Sequence, residues 1–255
     1  MIAANAATGL ETSSPLRIGV IEDERHARTG ISLELSALEP EGFIFVGAYA
    51  SFEEFNCARV AVDVVILDRW IRIRNDDGSE SYPQPQGDAA VARLRERTIR
   101  VIVHTNDANP GHAVREMAAG AECIVSKSHQ SPEPLYEALR AIRDGERLLT
   151  GPMASAIWTN EFLLRALELT ESEKRVFKLK AAGFTGDQIA RRAHISPKTV
   201  GNHVSSIHRK IDTILGYLQS GNDKAPRPQW LVQLLTDADP LRPEGATPQG
   251  GSFVV

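Results

Sequence analysis

The sequence predicts two domains of different class, a doubly wound five-stranded parallel α/β sheet followed by an all-α helix-turn-helix unit. Three observations carry this. Apolar strand-like runs alternate with helical patterns from residue 16 to residue 145. Each of four such runs ends on a residue suited to chemistry. A basic stretch between residues 160 and 224 is punctuated by helix caps at short intervals.

The 255 residues suffice for two domains with cores of their own, at roughly 100–200 residues each. The composition, 42% hydrophobic and 24% charged, is that of a globular chain rather than a disordered one. Apolar runs stay well short of the ~20 residues that span a bilayer. The start, MIAANAATGLETSSP, lacks the basic end and apolar core of a secretory signal, so a cytoplasmic protein without membrane contact is expected. Cys57 and Cys123 lie in apolar surroundings without CxxC spacing, which predicts buried free thiols. The net charge of −4 is uneven: residues 160–224 carry +4 and the remainder −8, the pattern of an acidic body joined to a module for nucleic acid.

In order, residues 1–14 are small and polar and are expected to be disordered. LRIGVI (16–21) is a buried strand, and residues 24–38 a helix with Ala27, Ile31 and Leu35 on one face. FIFVGAY (43–49) is a strand. Residues 51–58 form a short helix, with Ser51 as N-cap and Glu54 at the capping-box position. VDVVILDRW (62–70) is an apolar strand that ends abruptly on Asp68. Then come a helix over 88–97, a strand RVIVHT (100–105), a helix over 111–119 stopped by Gly120, a strand CIVSK (123–127), and a helix over 132–143 with Ser131 as cap.

Parallel strands all point their carboxyl ends the same way, and in open α/β sheets that edge is where ligands sit. Glu22 and Asp23 close the first strand, Asp68 the third, Thr105 the fourth and Lys127 the fifth. Three carboxylates so gathered repel one another unless a hard cation neutralises them, and Mg²⁺ takes oxygen ligands. A hydroxyl and an ammonium beside that ion suit the oxygens of a phosphoryl group. The implied chemistry is attack of the Asp68 carboxylate on a phosphoryl donor, giving an aspartyl phosphate.

With those five residues in that order, residues 16–145 resemble the receiver domain of two-component response regulators, a flavodoxin-like fold. The resemblance implies that Asp68 is the phosphoacceptor, that Glu22, Asp23, Asp68 and the backbone carbonyl of Trp70 hold Mg²⁺, and that Lys127 and Thr105 bind the phosphoryl oxygens. Three departures stand out. RWIRIRNDDGSESYPQPQG follows Asp68 where the family has a loop about a dozen residues shorter. Ile124 replaces the common aromatic switch residue, and Asn106 replaces the small residue after the threonine. Trp70 and Asp107 lie where the family tunes dephosphorylation, and a bulky Trp70 predicts a long-lived phosphoform.

Residues 147–165 read as a helical linker, broken near Thr159–Asn160, that packs on one of the domains. Thr170 and Glu173 form a capping box for a helix over 171–182. Thr185 caps a helix over 186–193. Ser196, with Pro197 behind it, caps a third helix whose apolar face is Val200, Val204, Ile207 and Ile211. Short helices around a tight turn, the last one basic, describe a helix-turn-helix. The segment resembles the LuxR-type domain that ends NarL/FixJ-type response regulators, matching at Leu169, Thr170, Glu173, Ile189, Ala190, Ile195, Ser196, Lys198, Thr199, Val200 and His203. The resemblance implies phosphate contacts from Lys198, Thr199, His203, Arg209 and Lys210 to double-stranded DNA. Asn202 and Ser205 face the groove, Asn202 being the candidate for reading adenine. Gly201 stands where the family commonly has Lys or Arg. QWLVQLLTDA (229–238) is a fourth helix that covers the core or dimerises through Trp230, and residues 239–255 form a tail.

The domains expected are therefore 15–146, 147–165 and 166–238. The function expected is a DNA-binding transcriptional regulator, not an enzyme, phosphorylated at Asp68 by a sensor histidine kinase and dimeric when active. One alternative is a phosphorylation-independent regulator. The other is a phosphotransferase of the haloacid-dehalogenase kind, disfavoured because Trp70 stands where a second acid is needed.

Overall fold

The computed structural model describes residues 14–38, 42–71, 73–74, 80–81, 87–128, 132–146 and 148–219. The expected Ser131 cap, the helix over 229–238 and both tails, apart from Ser14, lie outside them.

Five strands form one parallel sheet: β1 (Leu16–Ile21), β2 (Phe43–Tyr49), β3 (Val64–Leu67), β6 (Arg100–Thr105) and β7 (Cys123–Ser126), in the order β2-β1-β3-β6-β7. Helices α1 (Arg25–Ser36), α2 (Phe52–Ala58), α3 (Gly87–Glu96), α4 (Pro110–Ala119) and α5 (Glu133–Arg143) cover it. The middle strands are buried on both faces, as their unbroken Val/Ile/Leu runs require: every residue from Val64 to Leu67 is at most 1% exposed. Strand order reverses between β1 and β3, where their ends leave a crevice.

Local chemistry sets the helix ends. The Ser51 hydroxyl accepts the Glu54 N–H at 3.1 Å, although the Glu54 carboxylate bonds the Ala50 N–H rather than closing the box on Ser51. Asn109 caps α4, and Gly120 stops it at φ 106°, a left-handed conformation that costs a glycine least. Within the longer loop after Asp68, β4 (Ile73–Arg74) and β5 (Glu80–Ser81) pair antiparallel, and Ile71 before them is buried in the core. Cys123 is buried as expected but Cys57 is exposed, because its position on the short α2 faces outward.

The linker is two helices, α6 (Gly151–Thr159) and α7 (Glu161–Ala166), which meet at Asn160 as the sequence suggests. It packs on both domains rather than one. α6 lies against α4 and β7 on one side, and on the other against α8 (Glu171–Ala181). The C-terminal unit adds α9 (Gly186–Ala193) and α10 (Pro197–Gln219), the latter one unbroken helix of 23 residues. Val114 and Met117 of α4 meet Ile157, Leu163, Ile211 and Leu215 in an apolar seam. One core cluster therefore runs from the α3–α4 face of the sheet through the linker into the helix-turn-helix. A second, under α1 and α5, fills the other face of the sheet. Among the described residues no helix is long and apolar enough to cross a membrane.

Glu173 joins the first and last helices of the C-terminal unit. Its carboxylate accepts the Thr170 N–H at 2.8 Å, completing the capping box, and the Lys210 ammonium at 2.9 Å. Burial opposes its charge, but Lys210 and the Thr170 N–H outweigh that and bring its pKa down to about 2. A depressed carboxylate contributes stability that is full above its unfolded pKa of ~4.5 and is lost as pH falls towards the folded value. Chemical denaturation between pH 7 and pH 2.5 is expected to show this loss in the wild type. In Glu173→Gln stability at pH 7 falls and its decline across that range is shallower.

Candidate functional site

The register of β1 on β3 builds the crevice. Ile21 and Leu67 are paired, so Glu22 and Asp68 leave the sheet side by side, with the Asp68 N–H bonded to the Ile21 carbonyl at 2.8 Å. On the far side Thr105 pairs with Ser126, and the Lys127 N–H bonds the Thr105 carbonyl at 3.0 Å, which brings Lys127 to the same edge. Glu22, Asp68 and Thr105 are buried, at 3%, 7% and 3% exposure, and Asp23 faces solvent.

Ligand oxygens of Glu22, Asp23 and Asp68 lie within 4.8 Å of one another. The Lys127 ammonium lies between two of these groups, 2.5 Å from Glu22 Oε2 and 3.1 Å from Asp68 Oδ1. Burial and the neighbouring Asp68 raise the Glu22 pKa against the pull of Lys127. Lys127 feels burial too, but the two carboxylates outweigh it and hold its pKa above the usual value. Three carboxyl groups against one ammonium leave the pocket short of positive charge, and an all-oxygen donor set of this kind fits a hard divalent cation. Trp70 is 41% exposed, its indole edge-on to the His112 ring at 6.4 Å between centroids.

Behind the pocket lies a cluster that sequence reasoning missed. Arg69, next to the central carboxylate, is fully buried. Its Nε and Nη2 donate to the two oxygens of Glu116 on α4, each at 2.7 Å, and Nη1 donates to the Asp107 carbonyl at 2.7 Å. The Asp107 carboxylate lies 3.2 Å from Nη1 and 2.6 Å from His112 Nδ1. Burial lowers the Arg69 pKa, but its two acidic partners raise it further, so the guanidinium stays charged. Removing one member of such a buried pair strands the other, at a cost on the order of 3–5 kcal/mol. The sequence did hold a signal: Glu116 stands on the same face of α4 as Ala113 and Met117, where an acid needs a buried partner. Its partner is 47 positions away, which helical periodicity does not reveal.

In the C-terminal unit α9 and α10 meet through a turn at His194, φ 55°, with the Ile195 N–H bonded to the Ala190 carbonyl. Ser196 caps α10 through the Thr199 N–H at 3.0 Å. Lys198, Asn202, Ser205 and Arg209 recur at helical spacing and all are exposed, forming one stripe, with Thr199 and His203 half-buried beside it. Val200, Ile207 and Ile211 are buried on the opposite face. Lys210 departs from its expected phosphate contact. Its ammonium bonds Glu173 and the Glu168 carbonyl, both at 2.9 Å, and so holds the domain together.

Residues 167–214 match the family described as bacterial regulatory proteins, luxR family. The transcriptional regulatory protein DesR of Bacillus subtilis is 29% identical over 130 residues, which are 51% of this chain and 62% of that protein. The response regulator protein VraR of Staphylococcus aureus is 26% identical over 200 residues, 77% of this chain and 90% of that one. The RcsB response regulator of Salmonella typhimurium overlaps at a TM-score of 0.47 with 19% identity, covering 88% of this chain and all of that one. The chain thus carries a luxR-family domain at residues 167–214 behind a parallel α/β domain, and over 200 residues it is similar in sequence to a response regulator.

Proposed function

We propose that Asp68 is the phosphoryl acceptor that switches this DNA-binding response regulator, and that a sensor histidine kinase supplies the phosphoryl group. The observation that carries this is the Lys127 ammonium set between Glu22 and Asp68, with Thr105 at the same strand edge. A carboxylate oxygen of Asp68 attacks phosphorus. The new O–P bond forms as the donor's P–N bond breaks, and the electron pair stays on the leaving imidazole. Lys127 sits where it can balance the charge of the phosphoryl oxygens, and the Thr105 hydroxyl can donate to one of them. Glu22, Asp23, Asp68 and the Trp70 carbonyl would hold Mg²⁺, which supplies the positive charge that three carboxylates and a phosphoryl group need. The haloacid-dehalogenase alternative is disfavoured, since relatives such as DesR and VraR are regulators and Arg69-Trp70 offers no second acid.

On the DNA side, the exposed stripe of α10 is the surface offered to the major groove. Lys198 and Arg209 face phosphates, and Asn202 faces a base edge. Only Lys198, Thr199, His203 and Arg209 remain as backbone contacts, because Lys210 is committed inside the domain. A dimer would place two such helices on paired half-sites.

Intact mass after incubation with acetyl phosphate and Mg²⁺ tests the switch: the wild type gains one phosphoryl group and Asp68→Ala gains none. A wild type without gain favours the phosphorylation-independent alternative. The phosphoform is expected to outlive acetyl phosphate in the same buffer, and Trp70→Ala to lose its phosphoryl group faster as water gains access; equal lifetimes would refute a shielding role. On a DNA site selected from a random pool, Asn202→Ala is expected to relax preference at one position by about 1–3 kcal/mol. Lys198→Ala should instead weaken all sequences alike and lower the salt slope by about one.

A further inference from the structure

We propose that Arg69 is a positioning residue that couples the phosphoacceptor to the output domain, through a branched chain of bonds that runs from the residue after Asp68 to the β6–α4 loop and to α4. The proposal rests on the reading of Asp68 as the phosphoacceptor.

The chain can be traced bond by bond. Arg69 is covalently next to Asp68. Its Nη1 donates to the Asp107 carbonyl at 2.7 Å. The Asp107 N–H donates to the Thr105 hydroxyl at 3.1 Å. Thr105 ends β6, the strand paired with the one that leads into Asp68, and is the hydroxyl that a phosphoryl group would recruit. Drawing that hydroxyl towards a phosphoryl oxygen would carry the Asp107 N–H with it, and Asp107 is tied to Arg69 through both its carbonyl and its carboxylate. Arg69 in turn grips Glu116 through both carboxylate oxygens, so α4 follows.

This chain of bonds is built tightly enough to transmit a small movement. A Cβ on Gly87, the first residue of α3, would stand 2.4 Å from Glu116 Oε1 and 3.3 Å from Arg69 Cγ, so the backbone of α3 closes directly over the pair. Bidentate pairing of a planar guanidinium with a carboxylate fixes orientation as well as distance. The same helix then meets the output side. Val114 and Met117 lie on α4 within one turn of Glu116 and form the seam with α6, α7 and α10. Ile124, at the position of the missing aromatic switch, is 1% exposed, and its carbonyl accepts a hydrogen bond from the Thr150 hydroxyl, which immediately precedes α6. The Ile124 side chain thus lies against the linker, and the charged cluster of Arg69, Asp107 and Glu116 offers a second connection between the phosphoacceptor and α4.

The test compares wild type, Arg69→Met and Glu116→Gln as full chains, with and without acetyl phosphate and Mg²⁺. Phosphoryl occupancy is read by intact mass, and amide-hydrogen exchange is followed over residues 110–119 and 151–159. The wild type is expected to gain one phosphoryl group and to change its exchange in both helices. The variants should reach the same occupancy and lose that change. A merely structural role would loosen α4 equally in both states and leave the phosphorylation-dependent difference intact, which would overturn the proposal. So would a phosphorylated wild type whose α4 does not respond. A wild type that gains no phosphoryl group removes the phosphoacceptor reading and the coupling together. A full response in the variants removes the coupling alone. Glu116→Gln keeps the side-chain shape and one acceptor oxygen, so it decides the matter if Arg69→Met does not fold.

Discussion

Charge balance at the carboxyl edge of the sheet is the constraint on which the rest of this structure depends. The parallel register brings Glu22 and Asp68 out side by side and turns Lys127 towards them. Buried charges persist only when paired, so each carboxylate dictates what must stand near it. Lys127 answers the acids inside the pocket, and Arg69 answers Glu116 and Asp107 behind it. The two cations lie on opposite sides of one short segment, with Asp68 facing the first and Arg69 belonging to the second.

The linker gives that balance somewhere to go. α6 touches α4, β7 and α8, so it bridges the two domains. The apolar seam of Val114, Met117, Ile157 and Ile211 is non-directional and tolerates sliding, whereas the ion pairs above it do not. A stiff polar cluster set on a more forgiving apolar contact is an arrangement in which a small displacement at one end moves a helix at the other. The docked part of α10 is its C-terminal half. The stripe of Lys198, Asn202 and Ser205 stays exposed, so contact with the α/β domain does not cover it.

Glu173 plays a comparable part in the C-terminal unit. It caps α8 and fixes the middle of α10 through Lys210, so a residue that reads in sequence as one half of a capping box is also a tertiary bond. The cost is one cation fewer for the phosphate backbone. Gly201 adds to this, since a Cβ there would meet open space and a larger side chain would fit.

By itself the sequence determined the strand and helix order, the placement of Glu22, Asp23, Asp68, Thr105 and Lys127 at one edge, and the capped helices of the second domain. Period-two and period-3.6 patterns and caps are local, and parallel strands fix where their ends point. Ile21 and Leu67 needed no more than that to align. Only the tertiary structure decided the pairing of Arg69 with Glu116, the internal commitment of Lys210, the exposure of Cys57 and the packing of the linker on both domains. Each depends on which residues meet across 37 or more positions or on which face of a short helix turns inward, and neither is written in local periodicity. The insertion after Asp68 shows the same limit, because its polar, Gly- and Pro-containing composition marks only a longer loop and its β4–β5 pairing comes from register alone.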